Sequence, residues 1–195
     1  LAVVNNNLDI ISSYNKNKLV PFGEFLPLEN FLKSIGIKTI TNYYKSYSKG
    51  KKRDIINLKK QEFDISFLPL ICYEIIYSGN LTKKENYDLI VNISEDGWFG
   101  KSIGPHQHFS HSIFRSIEEG KSVIRSTNSG ISALINPNGV ISKILESTYE
   151  GVIEINQIKN PKKTFFSKYR NNIFFYFIII YISLIFFLNT NREIK

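Results

Sequence analysis

The chain holds a single thiol, Cys72, in the run LPLICYEIIY (68–77). A thiolate is a strong nucleophile for acyl chemistry when a base generates it, a donor faces the oxyanion and placement is rigid. Cys72 follows an apolar, strand-like stretch, and α/β folds commonly present site residues at the C-terminal ends of strands. A buried, inert core thiol fits the same pattern. Glu74 lies two residues on, whereas Lys16 and Lys18 lie far upstream near Glu24. Spacing alone does not bring these groups together.

Other conspicuous residues carry weaker chemistry. His106, His108 and His111 lack the His-x-x-x-His face of a zinc helix and have no cysteine near them, so no metal is expected. Hydrogen bonding at a helix start is their reading. Trp98, between Gly97 and Phe99, suits either the core or a lid over an apolar chain. Arg125 and Asn128 in RSTNSGIS (125–132) read as structural neighbours of a site, and Glu118 and Glu119 as a solvated helix end.

The elements that must position these groups follow from periodicity. Residues 1–4 read as a strand end and KNKLVPFGEFLP as an irregular loop punctuated by Pro21, Gly23 and Pro27. FDISFLPLICYE predicts a buried strand ending at Cys72, and YDLIVNIS another ending near Ser94. A helix is expected from about His106 to Glu119, with Phe109, Ile113, Phe114 and Ile117 as its apolar face and Gly120 as its stop. ISALINPNGVISKIL predicts a hairpin turning at Pro137-Asn138-Gly139, and GVIEINQI a last strand. Alternating strands and one clear helix define an α/β domain.

The formal charge is +8 and the pI about 9.4, which suits an anionic partner: nucleic acid or phospholipid headgroups. No nucleic-acid motif is present. Seven of the sixteen residues from Lys45 to Lys60 are Lys or Arg, beside Tyr43, Tyr44 and Tyr47. This stretch reads as a mobile surface loop suited to a headgroup region. The sixteen residues Ile173–Leu188 contain only two Tyr and one Ser with polar atoms; with Asn171, Asn172 and Asn189 they approach the roughly 20 residues that span a bilayer. Lys162, Lys163, Lys168 and Arg170 precede them, and Arg192 and Lys195 follow. The positive-inside rule, applied to this segment alone, puts the N-terminal flank in the cytoplasm, a weak bias that helices upstream of the cut can override. One cysteine excludes an internal disulfide framework. The chain has no methionine and opens on LAVVNNN, so residue 1 is read as a cut within a longer protein.

Taken in order, YNKNKLVPFGEFLP (14–27), CYEIIY (72–77), the run from NISEDGWFG to SGISALI (92–135) and the terminal apolar helix resemble the bacterial apolipoprotein N-acyltransferases. These are the membrane-embedded branch of the nitrilase (carbon–nitrogen hydrolase) superfamily. The resemblance is weakest over residues 28–61 and 136–170. It implies part of a nitrilase-like αββα sandwich followed by a C-terminal transmembrane helix. The expected division is residues 1–160 as catalytic domain, 161–171 as basic linker, 172–189 as span and 190–195 as polar tail.

The resemblance further implies a Glu-Lys-Cys triad, with the nucleophile on Cys72 and the lysine on Lys16 in preference to Lys18. Glu24, Tyr73, Glu74 and Trp98 match supporting or substrate-binding positions. The triad's glutamate lies upstream of the lysine in the family, and residues 1–15 contain no Glu, their only acid being Asp9. The implied reaction moves an acyl group from a phospholipid, through a Cys72 thioester, to the amine of a diacylglyceryl-apolipoprotein, without a cofactor. The implied setting is a monomer in the bacterial inner membrane, multi-pass in the full-length protein, with the catalytic domain on the extracytoplasmic side. A nitrilase-type amidase acting on a small amide would share the Lys and Cys without needing Ile173–Leu188. A membrane-tethered binding module with a structural cysteine would show no thiol reactivity.

Overall fold

FDISFLPLI sends Leu68 and Leu70 to one side and Ile65 and Phe67 to the other, the two-sided apolar pattern of a strand covered on both faces. In the computed structural model, which describes residues 1–36, 46–60, 63–82, 86–159 and 161–193, this run is β4 (Phe63–Ile71). It lies within a six-stranded sheet that also holds β3 (Ile56–Lys60), β5 (Leu89–Ser94), β6 (Ser122–Thr127), β7 (Ser132–Ile135) and β8 (Ile141–Leu145). The strands run in sequence order, β3 to β8. β4, β5 and β6 are mutually parallel neighbours, and the outer pairs are antiparallel. The β4–β5 register sets Ile71 opposite Ile93, so both strands end at the same edge.

The two faces are covered differently. On one, Leu68, Leu70, Ile90, Val123 and Ile135 pack with Ile75 and with Phe109 of α2 (Gly104–Glu119). On the other, Phe67 and Leu89 meet Tyr14 together with Leu1 and Val3, from a hairpin of β1 (Ala2–Val4) and β2 (Ile10–Ser13). A short helix α1 (Glu29–Ser34) follows, with Phe31 exposed. α2 begins two residues before His106, with Pro105 in its first turn, where a missing N–H costs nothing. It stops at Gly120, which takes the left-handed conformation at φ +62°.

Four expectations change. Phe114 and Ile117 are exposed, so the buried face of α2 is narrower and centres on Phe109, Ser112, Arg115, Ser116 and Glu119. Glu119 is buried and accepts the Tyr87 hydroxyl at 2.9 Å, and Glu118 accepts Ser78 and Arg115; neither is a solvated helix end. GVIEINQI forms no strand over its described residues. The basic stretch is not a loose loop: Gly50 donates to the Lys16 carbonyl at 2.8 Å, Arg53 is buried, and residues 56–60 form β3. Lys45, Tyr43 and Tyr44 lie outside the described residues.

The C-terminal part is fastened to α2. Lys162 donates to the Gly120 carbonyl at 2.7 Å, and the Thr164 hydroxyl bonds the Glu118 carbonyl. Thr164 also caps α3 (Phe165–Tyr169) by accepting Ser167 N–H at 2.9 Å. α4 (Asn172–Glu193) is apolar all round; its window Asn172–Asn189 has mean hydropathy 2.1 and none of it is buried. It is long and apolar enough to cross a membrane.

A Cβ at position 120 would lie 2.0 Å from the Lys162 carbonyl oxygen. Gly120→Ala is therefore expected to cost more than the roughly 1–2 kcal/mol of a left-handed non-glycine residue, measured by denaturant unfolding. A smaller loss would mean that the Lys162 strap yields freely.

Candidate active site

Cys72 is the first residue past β4 and opens a 3-10 turn, Cys72–Ile76. Its φ is +50°, a left-handed conformation that costs a non-glycine residue roughly 1–2 kcal/mol. The reversal lifts the thiol off the strand line. Cys72 is half-buried, and its Sγ faces the carbonyl of Glu95, one residue past β5, at 4.0 Å. The parallel register thus delivers Cys72 and Glu95 side by side.

Glu74 holds that turn. Its side chain is fully buried. Oε1 accepts Tyr14 Oη at 2.7 Å, Asn17 N–H at 3.0 Å, Lys18 N–H at 2.9 Å and Arg53 Nη2 at 2.6 Å, while Oε2 accepts Ile71 N–H at 2.9 Å. Oε1 is saturated, Oε2 is tied to the turn's own backbone, and the side chain has no solvent access, which makes Glu74 a structural anchor. Burial, then the hydrogen bond to Glu74, pushes the Tyr14 phenol up to about 12.

The same carboxylate ties the lysine loop to the cysteine turn, because Asn17 and Lys18 adjoin Lys16. Lys16 Nζ pairs with Glu24 Oε1 at 2.6 Å, and Glu24 Oε2 accepts Val20 N–H at 2.9 Å. Lys18 turns elsewhere, its Nζ 4.0 Å from the centre of the Tyr77 ring, and burial lowers its pKa. The two lysines are therefore distinguished by partner. Tyr73 stacks edge-on against Tyr77 at 5.5 Å between centroids. Trp98 is 61% exposed, so it is not core; Phe99 and Ile103 are exposed near it.

A second buried network joins Arg125 and His108, whose structural roles were expected, to Asp96, which the sequence did not single out. Asp96 is 1% exposed and accepts Arg125 Nη2 at 2.7 Å, Ser94 Oγ at 2.7 Å and His108 Nδ1 at 2.9 Å. We place the His108 proton on Nδ1 because a carboxylate can only accept. Arg125 Nη1 bonds Asn92 Oδ1, and Asn92 Nδ2 reaches the carbonyls of Leu70 at 3.4 Å and Cys72 at 3.5 Å. A Cβ at Gly130 would come within 2.2 Å of Asp96 Oδ2, so this glycine makes room for the carboxylate. The pairing of Asp96 with a distant arginine was not visible in sequence; the glycine in SGIS was the available signal. Asn128 bonds the Glu95 carboxylate at the site's rim.

The strand-end cysteine, the clamped lysine loop and the mixed sheet come together in one α/β domain. A sequence model of the carbon–nitrogen hydrolase family matches residues 1–158. The chain belongs to the carbon–nitrogen hydrolase family. Among curated relatives, proteins named apolipoprotein N-acyltransferase are similar to it. The one from Rickettsia prowazekii is 40% identical over 95% of this chain and 38% of its own length. That from Rhizobium etli is 35% identical over 95% of this chain and 35% of its own, and that from Brucella suis 35% over 82% and 29%. The chain thus spans about a third of the length of these relatives. Among solved structures, a glutamate-to-glutamine mutant of the amidase from Nesterenkonia sp. AN1, carrying a covalent acetamide moiety at its active-site cysteine, aligns with a TM-score of 0.50. Its identity is 14%, over 75% of this chain and 50% of that one, a likeness of fold.

Burial alone would raise the Asp96 carboxyl, but the His108 hydrogen bond, the Arg125 charge and the Ser94 hydroxyl outweigh it and hold the group at about 2. A carboxyl lowered on folding stabilises the protein above its ordinary value of 3.8, and that contribution fades as pH falls towards 2. Asp96→Asn is expected to flatten the loss of unfolding free energy between pH 5 and pH 2, measured by urea titration. An unchanged slope would show that Asp96 is not held low.

Proposed function

We propose that this chain carries the nucleophile and lysine of an apolipoprotein N-acyltransferase. The observation that carries the reading is Cys72, half-exposed on a left-handed turn held by buried charge, in one chain with an apolar helix long enough to span a bilayer. A small-amide hydrolase has no use for that helix, and the similarity to the Rickettsia prowazekii relative runs through it, over 95% of the chain.

In the first half-reaction the Cys72 thiolate attacks a phospholipid ester carbonyl. The C–S bond forms, the ester C–O bond breaks, and the lysophospholipid leaves as its alcohol. The thiol proton passes to the triad glutamate, assigned to a part of the protein outside these 195 residues, and then to that leaving oxygen. Lys16 holds positive charge near the developing oxyanion, and Glu24 fixes its ammonium. Trp98, Phe99 and Ile103 offer an apolar rim for the acyl chain. In the second half-reaction the amine of a diacylglyceryl-cysteine attacks the thioester, which is activated towards amines; exclusion of water keeps hydrolysis from competing. The setting in this reading is the inner membrane, with α4 as one of several spans and the catalytic domain on the extracytoplasmic side. The protein acts as a monomer, residues 161–171 are its juxtamembrane link, and no cofactor takes part. Lys49, Lys51 and Lys52 are exposed and suit headgroup phosphates, whereas Arg53 is committed to Glu74.

Intact-mass measurement of the full-length protein after incubation with phospholipid should show one acyl adduct, mapped to Cys72. Lys16→Ala should abolish the adduct, and Lys18→Ala should only weaken it. An adduct of unchanged yield in Cys72→Ser overturns the assignment, and the reverse ranking of the lysines overturns the role of Lys16.

A further inference from the structure

The carboxylates gathered at the site are neutralised with one exception. Glu24 is paired with Lys16, Glu74 with Arg53 and Asp96 with Arg125. Glu95 has no cation among the described residues, although it lies against the nucleophile: Cys72 Sγ is 4.0 Å from its backbone oxygen. Its side chain is exposed, yet it is not loose. Oε1 accepts Gly97 N–H at 2.9 Å, and Oε2 accepts the Asn128 amide. A Cβ at position 97 would meet Glu95 Oε1 at 2.6 Å, so glycine there leaves the room the carboxylate occupies.

A carboxylate seated by two neutral donors keeps a free lone pair on each oxygen. An exposed carboxylate fixed in direction and without a counter-ion among the described residues is open to a cation brought by a substrate. The acyl-transfer reading, on which this inference rests, brings one: the acceptor amine is an ammonium at neutral pH. We propose that Glu95 is the seat of the acceptor's α-ammonium in the second half-reaction.

The step balances. On docking, the ammonium gives one proton to the Glu95 carboxylate and becomes a neutral amine. Its nitrogen attacks the thioester carbonyl carbon; the C–N bond forms and the C–S bond breaks. The second amine proton ends on the departing Cys72 sulfur, and Glu95 returns its proton to solvent. The amide leaves with one hydrogen on nitrogen, and the enzyme is restored.

The test uses full-length protein in phospholipid vesicles with a diacylglyceryl-cysteine peptide as acceptor. In Glu95→Gln the thioester on Cys72 is expected to form from phospholipid at close to the wild-type rate. Transfer to the peptide should slow, with KM for the acceptor raised about tenfold or more, the scale of one lost charge-assisted contact, and with kcat for transfer lowered as well because the amide cannot take the proton. Hydroxylamine, a neutral nucleophile at about pH 7, should clear the thioester from variant and wild type alike. Glu95→Asp should recover part of the acceptor affinity. An unchanged acceptor KM overturns the proposal, as does a parallel loss of thioester formation, which would make Glu95 a positioning residue for the nucleophile. If the wild type forms no thioester at all, the acyl-transfer reading fails and this proposal falls with it, a result distinct from the other two.

Discussion

A carboxylate sealed from water and wrapped by five donors is the constraint on which the rest of this site depends. Isolated, the buried charge of Glu74 would be prohibitively costly; matched by Arg53, the Tyr14 hydroxyl and three backbone N–H groups, it becomes a fixed point. Those donors come from four separated stretches: the end of β2, the lysine loop, the segment before β3, and the end of β4. Glu74 therefore imposes the relative position of Lys16 and Cys72, which are 56 residues apart in the chain.

The left-handed backbone at Cys72 is tolerable because its surroundings over-determine it. Glu74 anchors the turn from one side, and Asn92, oriented by Arg125 and Asp96, reaches the Cys72 carbonyl from another. The far end of the turn is held as well: Arg115 donates to the Ile76 carbonyl at 3.1 Å, and Asn171 donates to the Ser78 carbonyl at 3.2 Å. A Cβ at Gly79 would strike Asn171, so the chain passes the root of α4 at close quarters. The root of α4 is thereby joined, through Ser78 and Gly79, to the segment that follows the Cys72 turn.

Much of this was legible in the residues. The apolar runs in FDISFLPLI and LIVNIS located the strands that end at Ile71 and Ser94, and Gly120 marked the end of α2. What was not legible has a common cause. Arg53 sits in KGKKRD among like charges, and nothing local distinguishes it from Lys51 or Lys52; only its partner 21 residues on does. Glu119 looks solvated beside Glu118 because Tyr87, its hydrogen-bond donor, belongs to the approach to β5. Asp96 and Arg125 are joined only by the parallel pairing of β5 and β6. Long-range polar pairing leaves no periodic trace, whereas apolar burial does. GVIEINQI shows the converse, an alternating pattern without a strand.

The claim that Glu74 organises the site without entering its chemistry is tested most directly by charge-neutral rescue. In full-length protein, Glu74→Gln leaves Arg53 buried and unpaired, a defect of about 3–5 kcal/mol. Thioester formation at Cys72 from phospholipid should then collapse. Adding Arg53→Met removes the stranded charge, and the introduced amide oxygen still accepts the Asn17 and Lys18 N–H groups at the expense of the single Ile71 contact, so the double variant should regain much of the wild-type rate. A folded double variant, verified by circular dichroism, that stays as inactive as Glu74→Gln would contradict the account and put the Glu74 carboxylate into the reaction itself.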